Sequence, residues 1–248
     1  MNILTLIILG ALQGLLEWLP VSSEGVLVAI ITLLGENPSI AIDYALFLHA
    51  GTMLAALVYY RKEFKEMILE GTLLRFTIIV TVITTIIGGA LYFTLRNISS
   101  LIGAWIITLI GGALIITGLL QLKKKKGLKT KPDNKDALIT GAAQGFSIIP
   151  GISRSGTTIS TLLFKGFKGS TALKLSFILS VPAILIAQAG LGLMSSPAVT
   201  WQGFWGLMTS FVVGLASIKA LTRVARRVNF GKFCIIMGIV MITTILIH

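Results

Sequence analysis

Charge is what this sequence has least of. Only 12% of its 248 residues are charged, where soluble domains carry about 25%. Its mean hydropathy is +0.93. A soluble domain of this length could not hide so much apolar surface, so composition excludes one. Acidic residues are the scarcer sign, with 9 Asp and Glu against 21 Lys and Arg and a formal charge of +12. That excess does not point to nucleic acid, because the basic residues cluster in short gaps between apolar runs and leave no soluble basic surface. Cysteine is nearly absent as well. Cys234 stands alone in an apolar run, which excludes a disulfide framework and a cysteine-based metal site. The first residues also lack the basic region and cleavage pattern of a secretory signal, so the first apolar run is expected to stay as structure.

Long apolar runs are what is present. Six stretches, about 43–60, 76–95, 100–121, 172–194, 201–221 and 231–247, are long enough to cross a hydrocarbon core of roughly 30 Å. Two more are apolar but broken. The first runs from Asn2 to Leu19, breaks at Pro20-Val21-Ser22-Ser23-Glu24-Gly25 and resumes to Leu34. The second runs from Ala137 to Ile149, breaks at Pro150-Gly151-Ile152-Ser153-Arg154-Ser155-Gly156 and resumes to Phe164. Irregular polar backbone survives at membrane depth only when buried in protein or facing a water-filled cavity.

The broken stretches repeat one another at a single offset: Gly10-Ala11 and Gly141-Ala142, Gln13-Gly14 and Gln144-Gly145, Ser22 and Ser153, Gly25 and Gly156. This predicts one membrane domain of two repeats. Residues 1–121 form the first, with a broken hairpin at 2–35 and three spans. A linker at 122–136 follows, and 137–248 form the second, with a hairpin at 137–165 and three spans. If each hairpin returns to its own side, three spans invert the second repeat. Arg61, Lys62, Lys65, Arg75, the lysines at 123–126, Lys129, Lys131, Lys135, Lys165, Lys168, Lys174, Arg223, Arg226, Arg227 and Lys232 then share one face, with Arg96 alone opposite. By the positive-inside bias that face is cytoplasmic and both termini lie outside. The fold class is therefore an all-α polytopic membrane protein, an inverted-topology repeat of six transmembrane helices plus two re-entrant hairpins. Their tips meet near the midplane, as in many transporters.

The tips hold the chemistry. Glu17 is a carboxylate in an apolar segment, expensive to bury unless paired or protonated. It can serve as an acid or base, a metal ligand, or the partner of a buried cation. Arg154 offers such a cation. Arg grips phosphate bidentately, and backbone N–H groups at a helix start attract anions. The stretch Gly151, Ser153, Arg154, Ser155, Gly156, Thr157, Thr158 thus reads as an oxyanion cradle, with an Arg154–Glu17 staple as the plainer alternative. Ser22 and Ser23 are ordinary helix caps, or one is a nucleophile with Glu17 or Glu24 as its base. Gln13, one turn before Glu17, can orient it or meet a headgroup. His49 shares a polar stripe with Gly51 and Thr52 and is a possible cavity-lining residue, though a lone hydrogen-bonded histidine fits as well. Glu36 and Asp43 are expected in a solvated outer loop, and the lysines at 123–126 at an anionic lipid surface.

The stretches Gln13-Gly14-Leu15-Leu16-Glu17-Trp18-Leu19-Pro20-Val21-Ser22-Ser23 and Pro150-Gly151-Ile152-Ser153-Arg154-Ser155-Gly156 resemble the two signature motifs of the undecaprenyl pyrophosphate phosphatases of the bacitracin-resistance type. The likeness runs along essentially the whole chain, including Phe177-Ile178-Leu179-Ser180-Val181-Pro182-Ala183. It implies hydrolysis of the terminal phosphate of a polyprenyl pyrophosphate, recycling an envelope carrier lipid in the plasma membrane. On this resemblance Glu17 is the essential acid, Ser23 the favoured nucleophile and Arg154 the phosphate clamp. Ser22, Ser153, Ser155 and Thr158 are supporting donors. A divalent cation such as Mg²⁺, with Glu17 its ligand, is implied, and no organic cofactor. The partners are the lipid substrate and membrane lipids, with oligomeric state open, a homodimer included. The family usually places His after the Gly of the first tip, where this chain has Val26, and a small residue where it has Glu24. That departure keeps open a flippase for polyprenyl phosphate using the same headgroup site. An ion-coupled transporter of a small anion is a third reading.

Overall fold

The computed structural model describes the backbone of all residues except 20, 103–104, 123–126, 194–199, 226–229 and 248. Pro20, the lysine run at 123–126, Arg226 and Arg227 lie outside the described residues, as does the side chain of Arg96. Among the described residues the chain folds into eleven α-helices. They are α1 (Ile3–Leu16), α2 (Ser23–Leu33), α3 (Pro38–Tyr59), α4 (Arg61–Leu69), α5 (Gly71–Ile102), α6 (Ile106–Leu122), α7 (Asn134–Gly145), α8 (Arg154–Phe164), α9 (Gly169–Leu193), α10 (Trp201–Ala225) and α11 (Phe230–Ile247).

Local chemistry sets most of the helix starts. Asn2 caps α1 by accepting from the Thr5 N–H, and Asn37 caps α3 ahead of Pro38 in the first turn. Asp133 and Asp136 form a reciprocal capping box on α7, a device that satisfies orphan N–H donors at both ends of the turn. Because of that box α7 begins at Asn134, so the expected linker at 122–136 gives its last residues to the helix. The second break also starts sooner than expected. A short 3₁₀ turn at Phe146–Ile148 precedes it, and the helix resumes at Arg154. In the first break α1 ends at Leu16, and the Trp18 indole N–H donates to the Gly214 carbonyl at 3.0 Å.

Four helical stretches are long and apolar enough to cross a membrane: Pro38–Tyr59, Gly71–Leu95, Gly169–Leu191 and Trp201–Ala220. The apolar parts of α6 and α11, Ile106–Leu120 and Cys234–Thr243, are shorter among the described residues. Exposure is arranged inside out. Ile78, Val82, Ile86, Leu185 and Val212 are more than half exposed, while Gln13, Glu17, Asp136 and Gln144 are buried. An apolar rim around a polar interior is the surface of a membrane protein. At the start of α10 the exposed Trp201 and Phe204 stack and Trp205 meets both edge-on, an aromatic cluster of the kind found at membrane interfaces.

Packing is reciprocal. The helix α1 lies chiefly along α10, α7 along α5, and α6 along α11. Each contact is floored by small residues, which let helices approach closely in lipid. A Cβ on Gly10 would strike the Gly206 backbone, one on Gly141 the Val80 carbonyl and Ile83, and one on Gly111 the Gly238 carbonyl.

Asp43 departs from expectation. It lies inside α3, is 1% exposed and accepts a hydrogen bond from the Tyr92 hydroxyl. The helix starts five residues earlier than the predicted span, which carries Asp43 into the protein, where a carboxylate needs a donor. Glu36 is half-buried and pairs with the Met1 amino group at 3.5 Å.

Candidate active site

The two breaks meet back to back. Gly151 sits at φ +99, a conformation open to glycine at little strain. Its N–H donates to Ser22 Oγ at 3.2 Å, across 129 residues of sequence. A Cβ on Gly25 would come within 2.6 Å of the Gly151 nitrogen, so only glycine allows this approach. Ser22 is itself left-handed, at φ 58, and its Oγ also accepts from the Gly25 N–H at 3.3 Å. Ser153 does the equivalent work on α8, accepting from the Gly156 N–H at 3.1 Å. Thr117 of α6 ties the second tip in place, donating to the Gly151 carbonyl at 3.2 Å and accepting from the Ser153 N–H at 3.3 Å.

Where the tips meet, Glu17 is the hub. One oxygen, Oε1, pairs with Arg154 Nη2. The other, Oε2, receives Gln13 Nε2 at 3.0 Å and Ser23 Oγ at 2.9 Å, with His49 Nε2 at 3.2 Å. Arg154 is anchored a second time, Nη1 donating to the Ser176 carbonyl at 3.2 Å. A buried ion pair of this kind gives little net stability over an apolar pair. Removing one partner alone costs about 3–5 kcal/mol, because the other charge is stranded. The plainer staple is therefore present, and it also holds the guanidinium at the junction of the tips.

A small polar cavity of about 20 Å³ lies here, lined by Glu17, Ser22, Ser23, Glu24, His49, Ser153, Arg154 and Ser155, with Leu19 and Ile152. It has room for about one water. Beside it opens a mostly apolar cavity of about 240 Å³ between α5, α7 and α9. Glu24, His49 and Arg154 line both.

The expected site residues thus separate. Glu17, Ser22, Ser23, Glu24, Ser153, Arg154 and Ser155 converge on the polar cavity, and Gln13 touches Glu17 from behind. Gly151, Gly156, Thr157 and Thr158 are not among its lining residues. Gly151 and Gly156 spend their N–H groups on Ser22 and Ser153. Thr158 Oγ1 is hydrogen-bonded to the Arg154 carbonyl and, at 2.7 Å, to Ser176 Oγ. The two first-tip serines also divide. Ser22 Oγ accepts at the tip contact, while Ser23 Oγ donates to a carboxylate. His49 joins the cluster fully, and Val26 packs with the apolar residues around α2. Thr117 and Ser176 were not foreseen, since lone hydroxyls in apolar helices carry no pattern of their own.

The donor set does not fit a divalent ion resident on Glu17. Both its oxygens are taken by protein donors, and no three His, Cys, Asp or Glu side chains are grouped to hold an ion among the described residues.

A family profile described as "Bacitracin resistance protein BacA" matches residues 6–240. This chain belongs to that family. A protein of Methanothrix thermoacetophila named undecaprenyl-diphosphatase is 44% identical over 246 residues, covering 97% of this chain and 96% of its own length. One of the same name from Methanococcoides burtonii is 38% identical over 255 residues, covering 96% of each chain. Another, from Syntrophotalea carbinolica, is 38% identical over 262 residues, covering 96% of this chain and 97% of its own.

Proposed function

We propose that this chain hydrolyses undecaprenyl or a related polyprenyl diphosphate to the monophosphate and phosphate, recycling the lipid carrier at the plasma membrane. The observation that carries this reading is the convergence of Ser23, Glu17 and Arg154 at the contact of the two tips. The names of the relatives agree with it. They give no support to a flippase that binds the headgroup without turnover.

In this reading the polar cavity receives the terminal phosphate and the apolar one the first part of the tail, whose remainder stays in lipid. A phosphate is larger than one water, so its entry must draw Arg154 from Glu17 onto the phosphate oxygens. Arg is suited to that exchange, since its fork of donors fits a phosphate as well as a carboxylate. Glu17 then gives up its Arg154 partner and becomes the base for Ser23, whose hydroxyl already points at it. Ser23 Oγ attacks the terminal phosphorus, and Arg154 with the Ser153 and Ser155 hydroxyls stabilises the charge on the equatorial oxygens. Glu24 Oε1 is buried without a hydrogen-bond partner, and it accepts a proton from the water that cleaves the phosphoserine. A divalent cation would come with the diphosphate, where it would offset phosphate charge, rather than be held by Glu17 in the substrate-free protein. Chelation with EDTA therefore leaves the unfolding temperature of the substrate-free protein unchanged, and a large fall would contradict this.

The reciprocal packing of α1 on α10 and α7 on α5 supports a single domain of two inverted repeats. On this reading the chain has six spans and two re-entrant hairpins, and the positive-inside bias puts the basic face in the cytoplasm and both termini outside. The test of the function is ³¹P NMR of undecaprenyl diphosphate incubated with detergent-purified protein. Conversion to monophosphate and inorganic phosphate is expected. Binding without conversion by folded protein would overturn the enzyme and leave the carrier.

A further inference from the structure

The leaving phosphate needs a proton, and His49 is a part-buried imidazole beside Glu17 with no role so far. His49 Nδ1 lies 2.7 Å from the Ala45 carbonyl oxygen. A carbonyl only accepts, so Nδ1 carries the hydrogen there. In a neutral ring Nε2 would then bear a lone pair, yet it faces Glu17 Oε2, another acceptor, at 3.2 Å. Two acceptors at that distance attract only with a proton between them, so the pair holds one proton more than a carboxylate and a neutral ring. The tautomer follows from the partners on both nitrogens, the usual way a histidine's proton is assigned.

Position gives that proton a use. Glu24, His49 and Arg154 are the residues that line both the polar and the apolar cavity. A lipid diphosphate with its terminal phosphate in the first and its tail in the second carries its bridging oxygen past these three. Arg does not give up its proton in a protein, and no contact of Glu24 assigns a proton to either of its oxygens. Of the three, the imidazole is the one whose partners place on it a proton that it can give up.

We propose that His49 is a further catalytic residue, the acid that protonates the leaving lipid phosphate; this rests on the phosphatase reading. Ser23 Oγ forms its bond to the terminal phosphorus as the bond from that phosphorus to the bridging oxygen breaks. The bridging oxygen takes the electron pair and receives the proton from His49 Nε2, while the Ser23 proton passes to Glu17. Water then attacks the phosphoserine, giving its proton to Glu24 as Ser23 recovers its own from Glu17. Glu24 returns the proton to His49, and one water has been consumed.

The experiment compares His49→Gln with the wild type on a polyprenyl diphosphate and on its analogue with sulfur in the bridging position, which leaves without protonation. Glutamine still offers an N–H to Glu17, so the hub keeps a donor. On the oxygen-bridged substrate kcat is expected to fall about 10²–10⁴-fold, the usual worth of general acid catalysis, with KM little changed. On the sulfur-bridged one the loss shrinks to about tenfold or less. An equal loss on both substrates, or none on either, overturns the proposal. His49→Ala gives a second reading that does not depend on the glutamine variant folding. Its turnover is restored by added imidazole if the ring acts as an acid, and absence of rescue in folded protein counts against it. Failure of the wild type to release phosphate from either substrate would instead strike the phosphatase reading itself.

Discussion

The two tips are built on one backbone plan and carry opposite charges. In each, a serine caps the resuming helix by accepting from the N–H of the glycine three residues on: Ser22 with Gly25, Ser153 with Gly156. Between cap and glycine the first tip has Ser23 and Glu24, the second Arg154 and Ser155. Seventeen in the first tip is Glu, and its counterpart at the repeat offset is Ile148. The shared residues are those the helix start demands, because the first N–H groups of a helix need partners. The cap serines reach the cavity too, but the charges that face it, Glu17, Glu24 and Arg154, are all at differing positions. Neither tip alone holds both a hydroxyl with a base and a cation for phosphate, so the site exists only at their contact.

That division ranks the consequences of substitution. Ser23→Ala removes the proposed nucleophile and is expected to lower phosphate release about 10⁴-fold or more, with its cap neighbour untouched. Arg154→Ala is expected to cost about 10³-fold, the scale for losing a main stabiliser of developing charge. It also strands Glu17, so a lower unfolding temperature accompanies it, and Arg154→Lys restores stability more than activity. Ser22→Ala should behave differently from its neighbour. Losing a cap costs about 1 kcal/mol of stability, with a far smaller loss of turnover than Ser23→Ala. Matching losses in the two serine variants would erase the distinction drawn between them. Gly25→Ala forces a Cβ against the Gly151 backbone. It should part the tips, lowering activity and stability together by about 1–3 kcal/mol, the usual scale of overpacking.

The smallest effect lies at the linker. The Lys129 ammonium bonds to Asp133 at 2.9 Å and also to Asp136, binding the linker to the start of α7. Lys129 holds the Asp133 carboxyl down to about 2. A carboxyl depressed when folded contributes stability above its ordinary range, and loses it as pH falls toward 2. Asp133 is fully exposed, so Asp133→Asn should flatten the acid limb of the unfolding temperature only slightly.

Much of this is legible in the sequence. Glu17 and Arg154 stood out because a charge in an apolar run is tolerated only with a partner, and each proved to be the other's. The repeated Gln-Gly and Ser-x-x-Gly spacings disclosed the paired tips, since caps and close glycine contacts are written locally. What stayed hidden was written non-locally. Asp43 looked solvated near a predicted span end because its donor, Tyr92, lies 49 residues away. The stripe of His49 and Thr52 told which face of α3 is polar, but not that Glu17 would stand opposite. Thr117 and Ser176 are single hydroxyls whose roles depend on tip two arriving beside them. The partner of the Trp18 indole is likewise distant, the Gly214 carbonyl 196 residues away.

The central claim, that two tips make one phosphate-cleaving site, is tested most directly by one assay. Phosphate release from a long-chain polyprenyl diphosphate would be measured for detergent-purified wild type, Ser23→Ala and Arg154→Ala, each shown to be folded. Release by the wild type, with loss of at least about 10³-fold in both variants, is the predicted result. Wild-type rates in either variant would contradict it, because a single tip would then suffice.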